Sequence, residues 1–379
     1  MRARDRHEEH RVATPLELLF DLCFVVAVAQ AGASLHHAIV AGHYLSGLFH
    51  FAQVFFAIWW AWMNFTWYAS AYDTDDVAYR IKVLIQMVGV LVLAAGIPRL
   101  FDAQDPSFTT LGYAIMRVSL VACWLRASRE EDDPARARTA RRYALGVSVC
   151  EIAWVGLLFA PREVWLWSWV VMLPMELGVP VWAEKTGATT WHPHHIIERY
   201  SLMTLIVIGE SVLAATIGVQ IAIDAGSMSW ALGSVIAGAV LVLFSAWWLY
   251  FAEPPHYISH TNRWTFFWGY GHYLVFSSLA AVGAGLASAT DIVVGGAWPQ
   301  WVGSAAVAIP IAVFLAAQWL ITIWPNKRGA RIGFAYGAAI ALVLGSIAIP
   351  LPVLPVGIIM VALIITTRGH AAPTPHSSE

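Results

Sequence analysis

Six polar side chains stand inside long apolar stretches of the sequence, where a charged or proton-carrying group is costly. These are Asp21, Arg117, Glu151, Glu210, Ser211 and His272. Ionisable residues in membrane-crossing helices mark ion, proton or substrate pathways. Carboxyl and imidazole groups can carry protons, and a guanidinium group can hold an anion or pair with a carboxylate. We therefore take these six residues as candidates for a proton or substrate site.

The stretch TPLELLFD, residues 14–21, places two carboxylates four positions apart, on one face of a helix. Thr14, Pro15 and Glu17 match a helix start with a capping box, which explains Glu17. Asp21 lies beyond the first turn, so capping does not explain it. We expect Arg117 to form a buried pair with Asp21 or Glu151. Such a pair would hold two helices together. The alternative is that Arg117 holds an anionic substrate or shifts the pKa of a carboxylate.

Glu210 is the strongest single candidate, because it follows Gly209 far inside an apolar stretch and no helix terminus accounts for it. Glycine permits close helix approach around a buried polar site. His272, in YGHYLVF, is either a hydrogen-bonded structural residue or a proton shuttle. These residues favour a site that binds protons near the middle of the membrane.

A second set of charges lies at the ends of apolar stretches and is expected to form cytosolic gates or ion pairs. It comprises Glu17, Asp73, Asp75, Asp76, Arg80, Glu198 and Arg199. Acidic residues before the third helix favour its N-terminal dipole, and a salt bridge to Arg80 or another arginine could act as a latch. Glu198 and Arg199 also fit interfacial capping charges at the start of the seventh stretch.

The elements that must position these residues are membrane helices. The chain has 379 residues, of which 59% are hydrophobic and 12% are charged, and its mean hydropathy is +0.64. Such a composition predicts an all-α, polytopic transmembrane helical bundle of about twelve spans. The expected spans are 16–34, 47–71, 79–98, 108–127, 143–160, 164–183, 195–219, 229–252, 264–288, 300–323, 331–349 and 352–367. A net charge of −2 gives no sign of nucleic-acid binding.

The basic residues sort by side when the N-terminus is placed in the cytosol. Almost all of them then fall in cytosolic segments, while Arg99 and Arg162 lie outside. This predicts cytosolic N- and C-termini. The expected parts are a tail (1–15), a first six-helix half (16–183), a linker (184–194), a second half (195–367) and a disordered tail (368–379). The charged stretch 126–142 is expected to be a solvated loop.

The two halves show a weak similarity to each other. HIIERYSLMTLIVIGES, residues 195–211, resembles the opening stretch, and a Trp-rich span follows each of them. Because six helices preserve orientation, this pattern indicates two parallel six-helix repeats.

Several of these motifs together resemble a known family. ELLFDL, the Trp-rich helix that runs into DTDD, HIIER ending in GES, and YGHYLVF are similar to the bacterial low-temperature requirement A (LtrA) family. The resemblance covers roughly residues 12 to 290. It implies a multi-pass protein of the bacterial cytoplasmic membrane, linked by name to growth and stress tolerance in the cold. It supplies no molecular activity.

The functional hypothesis that these residues favour is a proton-coupled secondary transporter of a small solute, with protons and the lipid bilayer as its other partners. A membrane-embedded enzyme or haem protein and a channel or stress sensor are the alternatives. His36, His37, His43 and His50 do not match a metal-ligand spacing, and the three cysteines form no metal-type pair. No metal and no cofactor are therefore expected, and no soluble-enzyme motif is present.

Overall fold

The computed structural model describes residues 4, 11–72, 74–224, 226, 229–255, 257–258, 262–295, 299–350 and 353–368. Within these ranges the chain is helical and has no strand, which confirms the predicted all-α class. The helices are α1 (Pro15–Val40), α2 (Tyr44–Tyr72), α3 (Val77–Ala103), α4 (Ser107–Glu130), α5 (Pro134–Leu157), α6 (Arg162–Ala183), α7 (Pro193–Asp224), α8 (Trp230–Phe251), α9 (Asn262–Val294), α10 (Gln300–Gln318), α11 (Ala330–Gly345) and α12 (Val353–Arg368).

Most of these helices are long and apolar enough to cross a membrane. Among the described residues, 10 helices meet both conditions. The two that do not are α5, whose first turns carry several arginines, and α12, whose apolar part is short. The predicted multi-pass architecture is confirmed, and the exact count of twelve spans stays a prediction.

The chain divides into two compact units. Unit 1 comprises Met1–Ser34 and Leu45–Ile206, and unit 2 comprises Leu35–Tyr44 and Val207–Glu379. The borders fall inside α1 and α7 and at the first residue of α2, so α1 and α7 each contribute to both units. The predicted division into two six-helix halves, with its linker and tails, stays a prediction.

The charged stretch 126–142, expected to be a loop, is largely helical instead. Helix α4 continues to Glu130 and α5 begins at Pro134, which leaves three residues between them. The side chain of Asp133 accepts a hydrogen bond from the Ala135 N–H at 2.7 Å, and proline fits the first helical position. Local capping therefore starts a helix in a sequence whose charges predicted a solvated loop.

In unit 1, α3 packs on α4, α4 on α5, and α5 on α6. The contact between α3 and α4 is a backbone contact, because a Cβ atom at Gly89 would lie 2.7 Å from the carbonyl oxygen of Gly112. Close packing through glycine is typical of membrane helices. The residue after Gly112, Tyr113, donates a hydrogen bond from its hydroxyl to Glu176 of α6.

Helix α2 supplies most of the aromatic core of unit 1. Trp59, Trp60 and Trp62 are all buried, as are Phe55 and Tyr68. Indole groups combine a large apolar surface with one N–H donor, which needs an acceptor when it is buried. Two of these donors reach carboxylates of neighbouring helices.

In unit 2, α9 packs on α10, α8 on α12, and α10 on α11. Helix α10 continues into a π-helical turn, Trp319–Ile323. A turn of this kind places one extra residue in the helix. The unit carries Glu210, Ser211 and His272 of the sequence candidates.

Candidate functional site

The first charged cluster of unit 1 is built around Arg199, and we call it the Arg199 cluster. The guanidinium group donates to both carboxylate oxygens of Asp21, at 3.1 Å from Nε and 2.5 Å from Nη2. Its Nη1 lies 2.8 Å from Glu17 Oε1. All three residues are fully buried. Charge-assisted bidentate pairing of this kind satisfies two acceptors at once.

Two further groups complete the Arg199 cluster. His195 Nε2 lies 3.1 Å from Glu17 Oε1, and Trp62 Nε1 donates to Asp21 at 2.7 Å. Arg11 lies 4.0 Å from Glu17, and its guanidinium group also donates to backbone carbonyls of α2. Two carboxylates therefore face two guanidinium groups, so the cluster is balanced in charge with His195 neutral.

Glu17 also caps α1, as predicted. The Thr14 N–H donates to Glu17 Oε2 at 2.8 Å, and the Glu17 N–H donates to Thr14 Oγ1 at 3.3 Å. This reciprocal pair is a capping box. One Glu17 oxygen therefore serves its own helix while the other faces α7.

The second charged cluster of unit 1, the Arg117 cluster, joins α2, α4, α5 and α6. Arg117 and Glu176 form a direct ion pair, and both side chains are buried. Trp60 and Trp154 donate to Glu176 from their indole nitrogens at 2.8 and 3.1 Å, and the Tyr113 hydroxyl donates at 3.4 Å. Glu176 thus accepts from four donors on three other helices.

Glu151 is the member of this cluster without a hydrogen bond. Its side chain is 7% exposed, and neither carboxylate oxygen has a partner among the described residues. Arg117 and Glu176 are close enough to act on it electrostatically. Arg117 Nε and Nη1 likewise have no hydrogen-bond acceptor in the described part of the chain. The cluster therefore holds two carboxylates and one guanidinium group.

A cavity of about 520 Å³ lies next to the Arg117 cluster, inside unit 1. Its wall includes Tyr113 and Trp154, two of the four residues that donate to Glu176. The lining comes from the starts of α2, α4 and α6 and from the ends of α3 and α5. The cavity therefore opens at the end of unit 1 opposite to Arg126 and the arginines of α5. An arrangement of this kind can present a bound solute to a buried charged cluster.

The acidic residues before α3 form two surface ion pairs. Arg80 contacts both oxygens of Asp75 at 2.8 and 2.7 Å, and Arg126 contacts both oxygens of Asp76 at 2.8 and 2.5 Å. Asp76 also caps α3 by accepting from the Tyr79 N–H. The hydrogen bonds from Arg126 lower the pKa of Asp76 well below its usual value, and Arg80 lowers that of Asp75. Asp73 lies outside the described residues.

Three sequence candidates lie in unit 2 and do not belong to either cluster. Glu210 is partly exposed. The Ser211 hydroxyl donates to the Leu279 carbonyl at 2.8 Å. The buried His272 ring bonds to the Trp268 carbonyl from Nδ1 at 2.8 Å and to the Tyr250 hydroxyl at Nε2, 2.9 Å away. His272 is thus held at both ring nitrogens.

The structure corrects two expected pairings. Asp21 pairs with Arg199 and not with Arg117, and the hydrogen-bonded partner of Arg117 is Glu176 and not Glu151. Arg199 is also no interfacial capping charge, because its side chain is fully buried between α1 and α7. Its neighbour Glu198 is partly exposed and accepts from the Ala13 N–H at 3.2 Å. Helix packing therefore pairs residues other than those expected from their depth in the predicted spans.

Sequence reasoning missed most of the neutral donors of both clusters. In the sequence, nothing distinguishes Trp60, Trp62, Tyr113 and Trp154 from the other aromatic residues of the apolar stretches. The available signal was Glu176, a lone acid between two prolines of an apolar helix, because a buried carboxylate requires several donors. The sequence does not show which aromatic residues supply them.

The chain matches the family described as Bacterial low temperature requirement A protein (LtrA) over residues 12–367. It is similar to the uncharacterized protein RA0937 of Rhizobium meliloti (strain 1021), with 26% identity over 259 residues, or 66% of this chain and 61% of that protein. The chain thus spans about three-fifths of the length of that relative. No solved structure matches it significantly. Because the family match runs through nearly all of the helical region that holds both clusters, the chain belongs to the bacterial low temperature requirement A family.

Proposed function

We propose that the protein is a proton-coupled secondary transporter of a small solute. The observation that carries this proposal is Glu151, a buried carboxyl without a hydrogen bond, beside the Arg117–Glu176 pair and behind the wall of a 520 Å³ cavity. A carboxyl in this position can take up or lose a proton without breaking a hydrogen bond.

The charges of the Arg117 cluster supply the coupling. With both carboxylates ionised, the cluster has one negative charge in excess, and burying an uncompensated charge is costly. Either a proton on Glu151 or a cation near it removes the excess. The Arg199 cluster, by contrast, is balanced by its own residues. The proton site is therefore assigned to Glu151 and not to Asp21.

The position of the cavity fits the outward-open state of an alternating-access cycle. Basic residues concentrate in cytosolic segments, so the end of unit 1 that holds Arg126 and the α5 arginines is assigned to the cytosol. The cavity then opens to the outside. The Arg199 cluster joins the N-terminal ends of α1 and α7 to α2 on the cytosolic side, where it serves as the closed gate.

The test uses purified protein in liposomes that contain the pH-sensitive dye pyranine. Gradients of tetraphenylphosphonium, benzoate or glucose are imposed, and the dye reports the internal pH. We expect one class of solute to drive more proton movement in liposomes that contain the wild type than in protein-free liposomes, and Glu151→Gln to abolish this excess. Asp132→Asn, in the exposed connection between α4 and α5, is the matched control and retains it. If no solute in the panel moves protons, or if Glu151→Gln behaves as the wild type, the proposal is wrong.

A further inference from the structure

We infer that the solute is an organic cation, such as a hydrophobic amine or a quaternary ammonium compound, and that it exchanges with the proton of Glu151. This inference rests on the proposed transport function and names its substrate class. Three independent features of the described residues support it: the wall of the cavity, the sign of the nearby charge, and the position of Glu151 relative to the wall.

The wall of the cavity is rich in aromatic rings. Those that line it are Phe49, Phe56, Tyr113, Trp154, Trp165 and Trp169. The negative face of an aromatic ring attracts a cation, most strongly for tryptophan, and quaternary ammonium ligands are recognised in this way. A volume of about 520 Å³ lies within the range of sites for small organic ligands. The cavity therefore suits an organic cation in both size and surface.

The charges around the cavity disfavour an anion. None of the residues that line it, as far as the structure describes them, is a lysine or an arginine, and His50 is the one basic side chain among them. Asp105 also lines it, and its carboxylate lies 3.1 Å from Arg99. Arg117 stands behind the Tyr113 ring, 4.9 Å from its centroid, and is already paired with Glu176. An anionic solute would find no lysine or arginine to pair with among the described residues of the wall.

Glu151 lies about one helical turn before Trp154, a residue of the cavity wall. Trp154 and Leu158 follow it on one face of α5, and both line the cavity. At 1.5 Å per residue, Glu151 lies about 4.5 Å along the helix axis from Trp154. A cation held against Trp154 is thus within electrostatic reach of the unpartnered carboxyl.

Trp169 supplies a further contact for the solute. Its indole N–H is buried and has no acceptor among the described residues. A buried donor without an acceptor is costly, and an ether or carbonyl oxygen of a bound solute would satisfy it. The neighbouring residue on the opposite face of α6, Trp167, is 70% exposed and does not line the cavity. The pair offers a matched comparison within one helix.

The exchange step conserves charge. Protonated Glu151 releases its proton when a monovalent cation binds, and the carboxylate that remains balances the cation. The titratable and charged groups that act on Glu151 are Tyr113 and Arg117 of α4, Cys150 of α5 and Glu176 of α6. Since Arg117 and Glu176 neutralise each other, one proton leaves for each cation bound.

The experiment compares two ions of the same shape and opposite charge, tetraphenylphosphonium and tetraphenylborate. Saturable binding of each radiolabelled ion to the purified protein in detergent is measured, and a pH indicator follows proton release in weak buffer. We expect the cation to bind and to release about one proton at acid pH, and the anion not to bind saturably. Equal binding of both ions, or binding without proton release, would overturn the inference.

Variants locate the site. Glu151→Gln should weaken binding of tetraphenylphosphonium about tenfold or more and abolish proton release, whereas Glu151→Asp should keep the release. Trp169→Leu should weaken binding severalfold, and Trp167→Leu should not. Size-exclusion profiles identify any variant that does not fold. If Trp167→Leu and Trp169→Leu weaken binding equally, the cation does not occupy this cavity.

The outcomes separate the substrate class from the transport function. If tetraphenylphosphonium binds and releases a proton but enters liposomes that contain the protein no faster than protein-free liposomes, the cation site stands and the transporter proposal fails. If benzoate or glucose drives proton movement that depends on Glu151 while the cation does not bind, the transporter stands and the cation inference fails.

Discussion

Trp60 and Trp62 stand two positions apart on α2, and their indole N–H groups donate to carboxylates of different clusters. Trp60 reaches Glu176 at 2.8 Å, and Trp62 reaches Asp21 at 2.7 Å. Two residues turn a helix by roughly 200°, so the two donors point to opposite sides. Helix α2 thus runs between the two charged clusters and contributes one neutral donor to each.

Removing these donors one at a time should have separate effects. Trp60→Phe and Trp62→Phe each leave a buried carboxylate with one donor fewer, and each should destabilise the protein by about 1–3 kcal/mol. Because the donors reach carboxylates of different clusters, the double variant should show the sum of both effects to within about 0.5 kcal/mol. Thermal unfolding in detergent measures all three variants. A large coupling energy would mean that the clusters act as one network.

Arg199 should tolerate no conservative replacement. Lysine cannot reproduce the two hydrogen bonds to Asp21 together with the contact to Glu17, and Arg199→Gln leaves two buried carboxylates with less compensation. We expect Arg199→Gln to lower the free energy of unfolding by about 3–5 kcal/mol. Both Arg199→Gln and Arg199→Lys should lower the yield of folded protein. Fluorescence-detected size-exclusion chromatography measures that yield. The double variant Arg199→Met with Asp21→Leu should recover part of it, and equal losses in the single and double variants would contradict the pairing.

The sequence predicts individual helices well because their signals are local. The capping box at Thr14 and Glu17 and the apolar length of α1 follow from neighbouring residues, and both are confirmed. The partner of Asp21 does not follow in this way. Spacing shows which face of α1 carries Asp21, but Arg199 stands 178 positions away and faces it only because α7 packs there.

Depth along a helix proved a poor guide to partners within the membrane. Glu151 and Arg117 lie at similar expected depths and are indeed neighbours, yet the ion pair forms with Glu176, which lies nearer the basic end of unit 1. A long arginine side chain can reach partners a turn away from its own level. Glu210 and His272 lie in unit 2, and their role in a proton pathway stays a prediction.

The two acidic residues before α3, Asp75 and Asp76, should differ in how much they stabilise the protein and in how that contribution changes with pH. Asp76 caps α3 and pairs with Arg126. Asparagine keeps the cap and loses the charge, so Asp76→Asn should cost at most about 1 kcal/mol, whereas the more exposed Asp75 should matter less. The pKa of Asp76 is lowered in the folded protein. Its contribution is therefore fully present above the usual value of 3.8 and is lost progressively as the pH falls from there through the lowered pKa of the folded protein.

Melting temperatures of the wild type, Asp76→Asn and Asp75→Asn, measured from pH 8 to pH 3, check this. The gap between the wild type and Asp76→Asn should stay constant down to about pH 5 and begin to narrow below about pH 4. Asp75→Asn should stay near the wild type throughout, because asparagine tolerates the left-handed backbone found at this position. A gap that widens in acid would show that Asp76 does not pair with Arg126.

Glu151 and Glu176 belong to one cluster, yet their amide variants should differ sharply. Glu176→Gln removes the ionised partner of the buried Arg117 and weakens four hydrogen bonds, so we expect a cost of about 3–5 kcal/mol. Glu151→Gln breaks no hydrogen bond and removes the excess negative charge, so its cost should stay below about 1 kcal/mol. Thermal unfolding in detergent compares the two variants at neutral pH. Equal destabilisation would show that Glu151 has a structural partner, and the assignment of the exchangeable proton to this carboxyl would then be wrong.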